Sequence, residues 1–356
     1  MSKSVFNHVV LLCRSGFEGE CSAEIIDRAA AIGVDGYCKT DKRSGIVVFT
    51  PNKPGSALRL IEKIPFSTMI FSRQWFAAIE QVTDLPPKDR VGTLAQAAGR
   101  FPRCKDLWLE TADTNEANSL SKLCKSLQKP LQIKLKAFGA LRASGEYRLH
   151  MLFTSGTSAW VGMSLPGNDA PWLGGIPRLR LPKAAPSRST LKLEEAWHWF
   201  LTPDTWGEEL KAGSWGVDLG AAPGGWTWQL VQRGLKVMAV DNGPMADDLM
   251  LTRQVEHHEA DGFLFEPPRA VAWMVCDIAD KPARVMHLMS TWFVNRWCRK
   301  SVFNLKLPMN KRYQEVCKLL DQLQQNCDQH NIKISWQAKQ LYHDREEITV
   351  MVRLLD

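Results

Sequence analysis

The chain has 356 residues, 45% of them hydrophobic, and a formal net charge of +7. That length supports two or three domains with cores of their own, and the composition excludes a disordered chain. Nine cysteines, odd in number and never spaced as Cys-x-x-Cys, point to neither a zinc site nor a disulfide framework, so no metal is expected. No apolar run nears the roughly 18 residues of a membrane span, and residues 1–12 lack a cleavage pattern. A cytoplasmic protein without a membrane partner is therefore expected.

In chain order, residues 7–12 read as a strand, 19–31 as an amphipathic helix, 44–49 as a strand, 56–64 as a helix and 68–76 as a strand. This is a first small α/β unit, residues 1–80. Pro86-Pro87-Lys88-Asp89 breaks the pattern. A second module, residues 81–164, follows with helices at 91–99 and 115–127 and strands at 107–111, 131–135 and 148–153. Residues 165–186, rich in proline and glycine, read as a linker, and residues 187–356 form the last domain.

Charge is unevenly placed. Between Lys122 and Lys192, twelve Lys and Arg face only Glu146 and Asp169, a local balance of +10, so the rest of the chain nets −3. A basic centre suits a polyphosphate partner, because phosphate contacts dominate nucleic-acid affinity. For Lys122, Lys125 and Lys129 a solvated helix face is the simpler explanation.

Past the linker, a helix with a Ser or Thr cap is expected after Ser187. Residues 215–218 read as a strand that stops at Asp218, a glycine-rich turn follows, and a helix opens at Trp226. The turn reads Asp218-x-Gly220-x-Ala222-Pro223-Gly224-Gly225, which is not the G-x-G-x-x-G of dinucleotide sites. An acid at the strand end suits an amine-bearing ligand such as S-adenosylmethionine, and glycines allow close backbone approach. Strands at 236–241, around Phe263, and at 271–277, 301–307, 332–337 and 348–354 alternate with helices at 283–297 and 310–330. The pattern predicts a doubly wound, Rossmann-like sheet with its ligand at the carboxyl ends of the strands.

Several residues at those ends suggest chemistry. Asp241 closes the second strand, where an acid accepts both hydroxyls of a ribose. Asp261 either accepts from an adenine amine or caps a turn. Lys306 lies in Phe-Asn-Leu-Lys-Leu-Pro, a run apolar enough to be buried, and buried lysines are rare unless paired or functional. Desolvation and a second cation, Lys192, would make its neutral amine available as a base, with Asp277 as counter-charge.

Ser187-Arg-Ser189-Thr-Leu-Lys192-Leu, Asp218-Leu-Gly-Ala-Ala-Pro-Gly-Gly225, Met-Val-Cys-Asp277, Phe-Asn-Leu-Lys306 and Arg345-Glu-Glu-Ile-Thr-Val together resemble the FtsJ-type ribose 2′-O-methyltransferases. Val9-Val-Leu-Leu-Cys-Arg14, Ala112-Asp-Thr-Asn-Glu116, Asp241-Asn-Gly-Pro-Met-Ala246 and Leu341-Tyr-His-Asp-Arg-Glu-Glu347 extend the likeness, over nearly the whole chain, to members acting on 23S rRNA. The resemblance implies a class I S-adenosylmethionine-dependent domain preceded by a ferredoxin-like element and a THUMP-like RNA-binding module. It implies a Lys-Asp-Lys-Glu tetrad at Lys192, Asp277, Lys306 and either Glu346 or Glu347. Glu347 is preferred because the apolar alternation begins directly after it. Cofactor contacts carry over to Ser189, the Ala222–Gly225 turn, Asp241, Asp261 and Asp277. The implied substrate is a cytidine ribose in the peptidyl-transferase loop of 23S rRNA, expected as naked or early-assembly rRNA, and a monomer is expected because no long amphipathic seam is left over. A base- or protein-directed methyltransferase and a non-catalytic assembly factor are the rivals. N-directed enzymes often show Asn/Asp-Pro-Pro-Tyr/Phe where this chain has Cys276-Asp-Ile-Ala-Asp-Lys-Pro282.

Overall fold

The computed structural model describes residues 6–99 and 101–355. The chain divides into two compact units, residues 1–176 and 177–356.

In the first unit the elements run β1 (His8–Cys13), α1 (Glu18–Ala31), β2 (Gly36–Lys39), β3 (Ile46–Pro51), α2 (Ala57–Lys63), β4 (Ser72–Ala78), α3 (Arg90–Ala98), β5 (Cys104–Thr111), α4 (Asn115–Asn118), α5 (Ser121–Ala137), β6 (Tyr147–Ser155) and β7 (Ser158–Ser164). All seven strands join one sheet, in the order β2-β3-β1-β4-β7-β6-β5. The two modules expected before the linker therefore share a sheet, joined where Ala77 and Ala78 of β4 pair with Met163 and Gly162 of β7. Gly162 permits that join, since a Cβ there would lie 2.2 Å from the Ala77 carbonyl oxygen. The small residues of Ser-Ala-Trp-Val-Gly-Met-Ser are why β7 escaped the sequence reading.

One expected strand is a helix. Residues 131–135 alternate apolar and polar, yet they continue α5. Leu131 and Leu135 are fully buried one turn apart, whereas Ile133, which a strand would place beside them, is exposed. The same helix carries Lys122, Lys125, Lys129, Lys134 and Lys136, all exposed.

Arg148 is used differently. It is buried, donates to Asp106 at 3.1 Å and to Asp169 at 2.7 Å, and lies 3.7 Å over the ring of Trp108. Beside it, buried His150 bridges Glu110 at 2.6 Å and Ser164 at 2.7 Å, and Ser164 donates to Asp169 at 2.7 Å. This network ties β5, β6 and β7 to the segment after residue 164.

The second unit runs α6 (Thr190–Phe200), α7 (Trp206–Glu209), β8 (Trp215–Leu219), α8 (Gly225–Val231), β9 (Lys236–Val240), α9 (Asp247–Met250), β10 (Val255–His258), β11 (Val271–Cys276), α10 (Pro282–Val294), β12 (Cys298–Lys306), α11 (Arg312–Gln329), β13 (Lys333–Lys339) and β14 (Glu347–Leu355). Its sheet has the order β10-β9-β8-β11-β12-β14-β13. Neighbours pair in parallel except at β14, which is antiparallel to both β12 and β13. Leu193, Trp197, Trp226, Leu230, Trp273 and Val302 pack as one core between α6, α8 and the sheet. Burying side chains of this size stabilises by about 1.5–3 kcal/mol each.

The strand expected around Phe263 is displaced to β10, a polar Val-Glu-His-His edge. Phe263 lies in a turn and is covered by the Arg284 guanidinium at 3.7 Å rather than by a neighbouring strand. No helix among the described residues is long and apolar enough to cross a membrane.

Candidate active site

Strands β8, β9, β11 and β12 run in parallel, so Asp218, Asp241, Asp277 and Lys306 arrive at one edge of the sheet. β14 runs the other way, and its first residue, Glu347, reaches the same edge opposite Lys306. The first turn of α6 adds Ser189 and Lys192.

Three of the four tetrad positions are in direct contact. The Lys192 ammonium lies 3.2 and 3.3 Å from the Asp277 carboxylate oxygens and 2.6 Å from Glu347 Oε2. Burial alone would lower the pKa of Lys192, but Asp277 and then Glu347 outweigh it and hold the ammonium above the ordinary lysine value. Lys192 is thus charged at neutral pH and unsuited to act as a base. Asp277 is pushed up by burial, opposed first by Lys192. Glu346 points elsewhere and accepts from Arg312 at 2.7 Å.

Lys306 departs from expectation. It is exposed rather than buried, although Leu305 and Leu307 on either side are buried. It is the last residue of β12, and the five residues before it in the strand are all buried. Among the described residues it makes no hydrogen bond or ion pair, while its backbone pairs in register with Glu347.

The glycine turn has the required shape. Gly220 and Gly224 have φ of 76° and 114°, and the Ala222–Pro223 peptide is cis. A Cβ on Gly224 would sit 2.5 Å from Leu249 Cδ2, and one on Gly225 would sit 2.3 Å from Ser189 Oγ. Gly224→Ala is therefore expected to abolish cofactor binding and lower the thermal midpoint, read by calorimetry. Asp241 accepts from the Ala222 N–H at 3.0 Å and the Gly243 N–H at 2.8 Å, bracing the turn. Asp261 is exposed and accepts from Phe263 N–H at 2.9 Å, so it caps a turn three residues beyond β10. Ser189 Oγ lies 2.6 Å from Ser187 Oγ.

Asp218 is the most constrained acid of the site. One oxygen accepts from Thr227 at 2.6 Å, while Oδ1 is buried without a partner. Burial raises its carboxyl to about 7, against the Thr227 hydrogen bonds and with help from Asp277 and Asp241. An orphaned buried acceptor beside a glycine cradle fits the amine-bearing, cationic S-adenosylmethionine. Asp218→Asn keeps the Thr227 bond but loses the charge. It is expected to weaken S-adenosylmethionine binding by about 10- to 100-fold, measured by titration calorimetry. Because the folded carboxyl is raised, stability is lost as pH rises from the unfolded value of 3.8 to about 7, so the same variant should melt higher than the parent at about pH 8.

Among the described residues no group of three or more His, Cys, Asp or Glu could hold a metal ion. Three residues to which the sequence motifs assign no role lie beside the tetrad. They are Asn304, which donates to Asp277 at 2.8 Å, and behind it Thr349 and Asp344. A polar residue inside an apolar strand was the available signal for Asn304.

Residues 185–329 match the family described as FtsJ-like methyltransferase. With this fold and site, the second unit is a class I S-adenosylmethionine-dependent methyltransferase domain. Residues 6–76 match the RlmM ferredoxin-like domain, and residues 89–165 match the N-terminal domain of ribosomal RNA large subunit methyltransferase M. The protein of that name from Photobacterium profundum is 49% identical over 98% of this chain and 98% of its own. The one from Cellvibrio japonicus is 50% identical over 98% of this chain and 99% of its own. The chain belongs to the ribosomal RNA large subunit methyltransferase M family.

Proposed function

We propose that this enzyme methylates the ribose 2′-hydroxyl of a cytidine in 23S rRNA, in the peptidyl-transferase loop. The observation that carries the proposal is the single Lys192 ammonium shared by Asp277 and Glu347, with Lys306 opposite Glu347 on the next strand. Lys192, held charged by the two carboxylates, cannot take a proton, which leaves Lys306 as the amine whose neutral form can take one from the hydroxyl.

S-adenosylmethionine supplies an activated methyl group bound to a sulfonium. The protein's part is to exclude water, hold the hydroxyl in line and accept its proton at Lys306 Nζ. Lys192 stabilises the oxyanion charge as it develops, and Asp277 and Glu347 keep that ammonium in place. Because Lys306 is exposed in the free protein, the RNA itself must complete its desolvation.

The exposed lysines of α5 support an RNA substrate, met as naked or early-assembly rRNA by a monomer in the cytoplasm. Ribose mapping of 23S rRNA by mass spectrometry, in a strain with and without the gene, tests the reading. A 2′-O-methyl cytidine lost with the gene is expected. A methyl group lost from a base instead would replace the ribose assignment by the base-directed one.

A further inference from the structure

We propose that Asn304 and Thr349 are positioning residues that hold the Asp277 carboxylate, at the end of a buried hydrogen-bond chain that starts from Asp344 as a neutral carboxylic acid. This rests on the reading of Asp277 as a member of the catalytic cluster. The chain lies behind the cluster, between β12 and β14, where Asn304 and Thr349 pair in register.

The direction of each bond follows from counting hydrogens. Asn304 Nδ2 donates to Asp277 Oδ1 at 2.8 Å, which turns the amide oxygen toward Thr349. Thr349 Oγ1 lies 2.8 Å from that oxygen and 2.9 Å from Asp344 Oδ2. An amide oxygen and a carboxylate oxygen only accept, and a hydroxyl has one hydrogen to give. Were Asp344 ionised, one of these two contacts would set acceptor against acceptor. A proton on Asp344 resolves both, since Asp344 donates to Thr349, Thr349 to Asn304, and Asn304 to Asp277. Every link then points the same way, and such chains polarise one another.

The surroundings agree. Thr349 and Asp344 are fully buried and Asn304 nearly so. Burial pushes the Asp344 carboxyl well above the usual range, and the negative Glu195 nearby pushes it further, against the pull of Lys192. Asp344 Oδ2 also accepts from the Leu341 N–H at 3.0 Å. Asp277 faces Lys192 from α6, Glu347 from β14, Asp218 from β8 and the preceding Cys276. Of these neighbours, Lys192 and the Asn304 N–H favour its ionised form.

Two measurements on the full-length protein test the chain. The first is a carbon-13 NMR titration of aspartate carboxyls without substrate, with Asp277→Asn and Asp344→Asn used for assignment. The second is the pH profile of kcat on unmodified 23S rRNA. Asn304→Leu removes a donor to the ionised carboxylate, so the Asp277 midpoint and the acid limb of kcat are expected to move about one pH unit higher. S-adenosylmethionine affinity should not change. Thr349→Val should shift both in the same direction, and Thr349→Ser, which keeps the hydroxyl, should restore them. If Asn304→Leu does not fold, the Thr349 pair decides.

An Asp277 midpoint unmoved by Asn304→Leu or Thr349→Val overturns the proposal, as does an Asp344 carboxyl found ionised in the folded protein at neutral pH. A uniform loss of kcat at every pH with fixed midpoints would also overturn it. Full methylation by Asp277→Ala would instead overturn the catalytic cluster, and with it any catalytic use of the chain.

Discussion

Lys306→Ala should bind S-adenosylmethionine as tightly as the parent protein while its single-turnover rate on 23S rRNA falls by about 10²- to 10⁴-fold, the usual contribution of a positioned base. The contrast is expected because Lys306 is exposed and makes no side-chain hydrogen bond or ion pair among the described residues, so truncation should disturb the fold little. The Lys192 bridge to Asp277 and Glu347 remains in place. Lys306→Arg should be no better, since a guanidinium keeps its proton and cannot act as a base. Methylation at the parental rate by either variant would remove Lys306 as the base.

Arg148→Met should cause the largest loss of stability. The guanidinium is buried against Asp106, Asp169 and the face of Trp108, and its removal leaves Asp169 without its ion-pair partner, held only by Ser164 and the Gly167 N–H. Breaking a buried pair in this way costs about 3–5 kcal/mol, or a fall of roughly 10 °C in the midpoint of this unit. Burial already raises the Asp169 carboxyl even with Arg148 beside it, so the lone acid takes up a proton readily. The loss should therefore be larger at about pH 8 than at about pH 5, where protonation removes the uncompensated charge. Calorimetry at both pH values checks the sign.

Arg148 also shows how far a count of charges can be trusted. In the sequence it is one of twelve cations in a basic stretch, alike in kind to Lys122 or Lys136. The fold separates them, turning the α5 lysines to solvent and sealing Arg148 among acids. Similarly, Leu131–Leu135 has the two-residue alternation of a strand. Only the packing of Leu131 and Leu135 one turn apart made it helix.

The second unit was more legible because its signals are local. A strand stopping at Asp218, a turn needing positive φ at Gly220 and Gly224, and acids at successive strand ends are each written within a few residues. That information determined the Rossmann-like fold, the cofactor turn and the residue types at the active edge. The tertiary structure decided which partners those residues meet. It gave Lys192 to Glu347 and Arg312 to Glu346, left Lys306 at an open edge, and stacked Asn304 on Thr349 through an antiparallel register. Spacing along a chain fixes which face a side chain takes, but contact between strands far apart in sequence depends on how β14 turns back into the sheet.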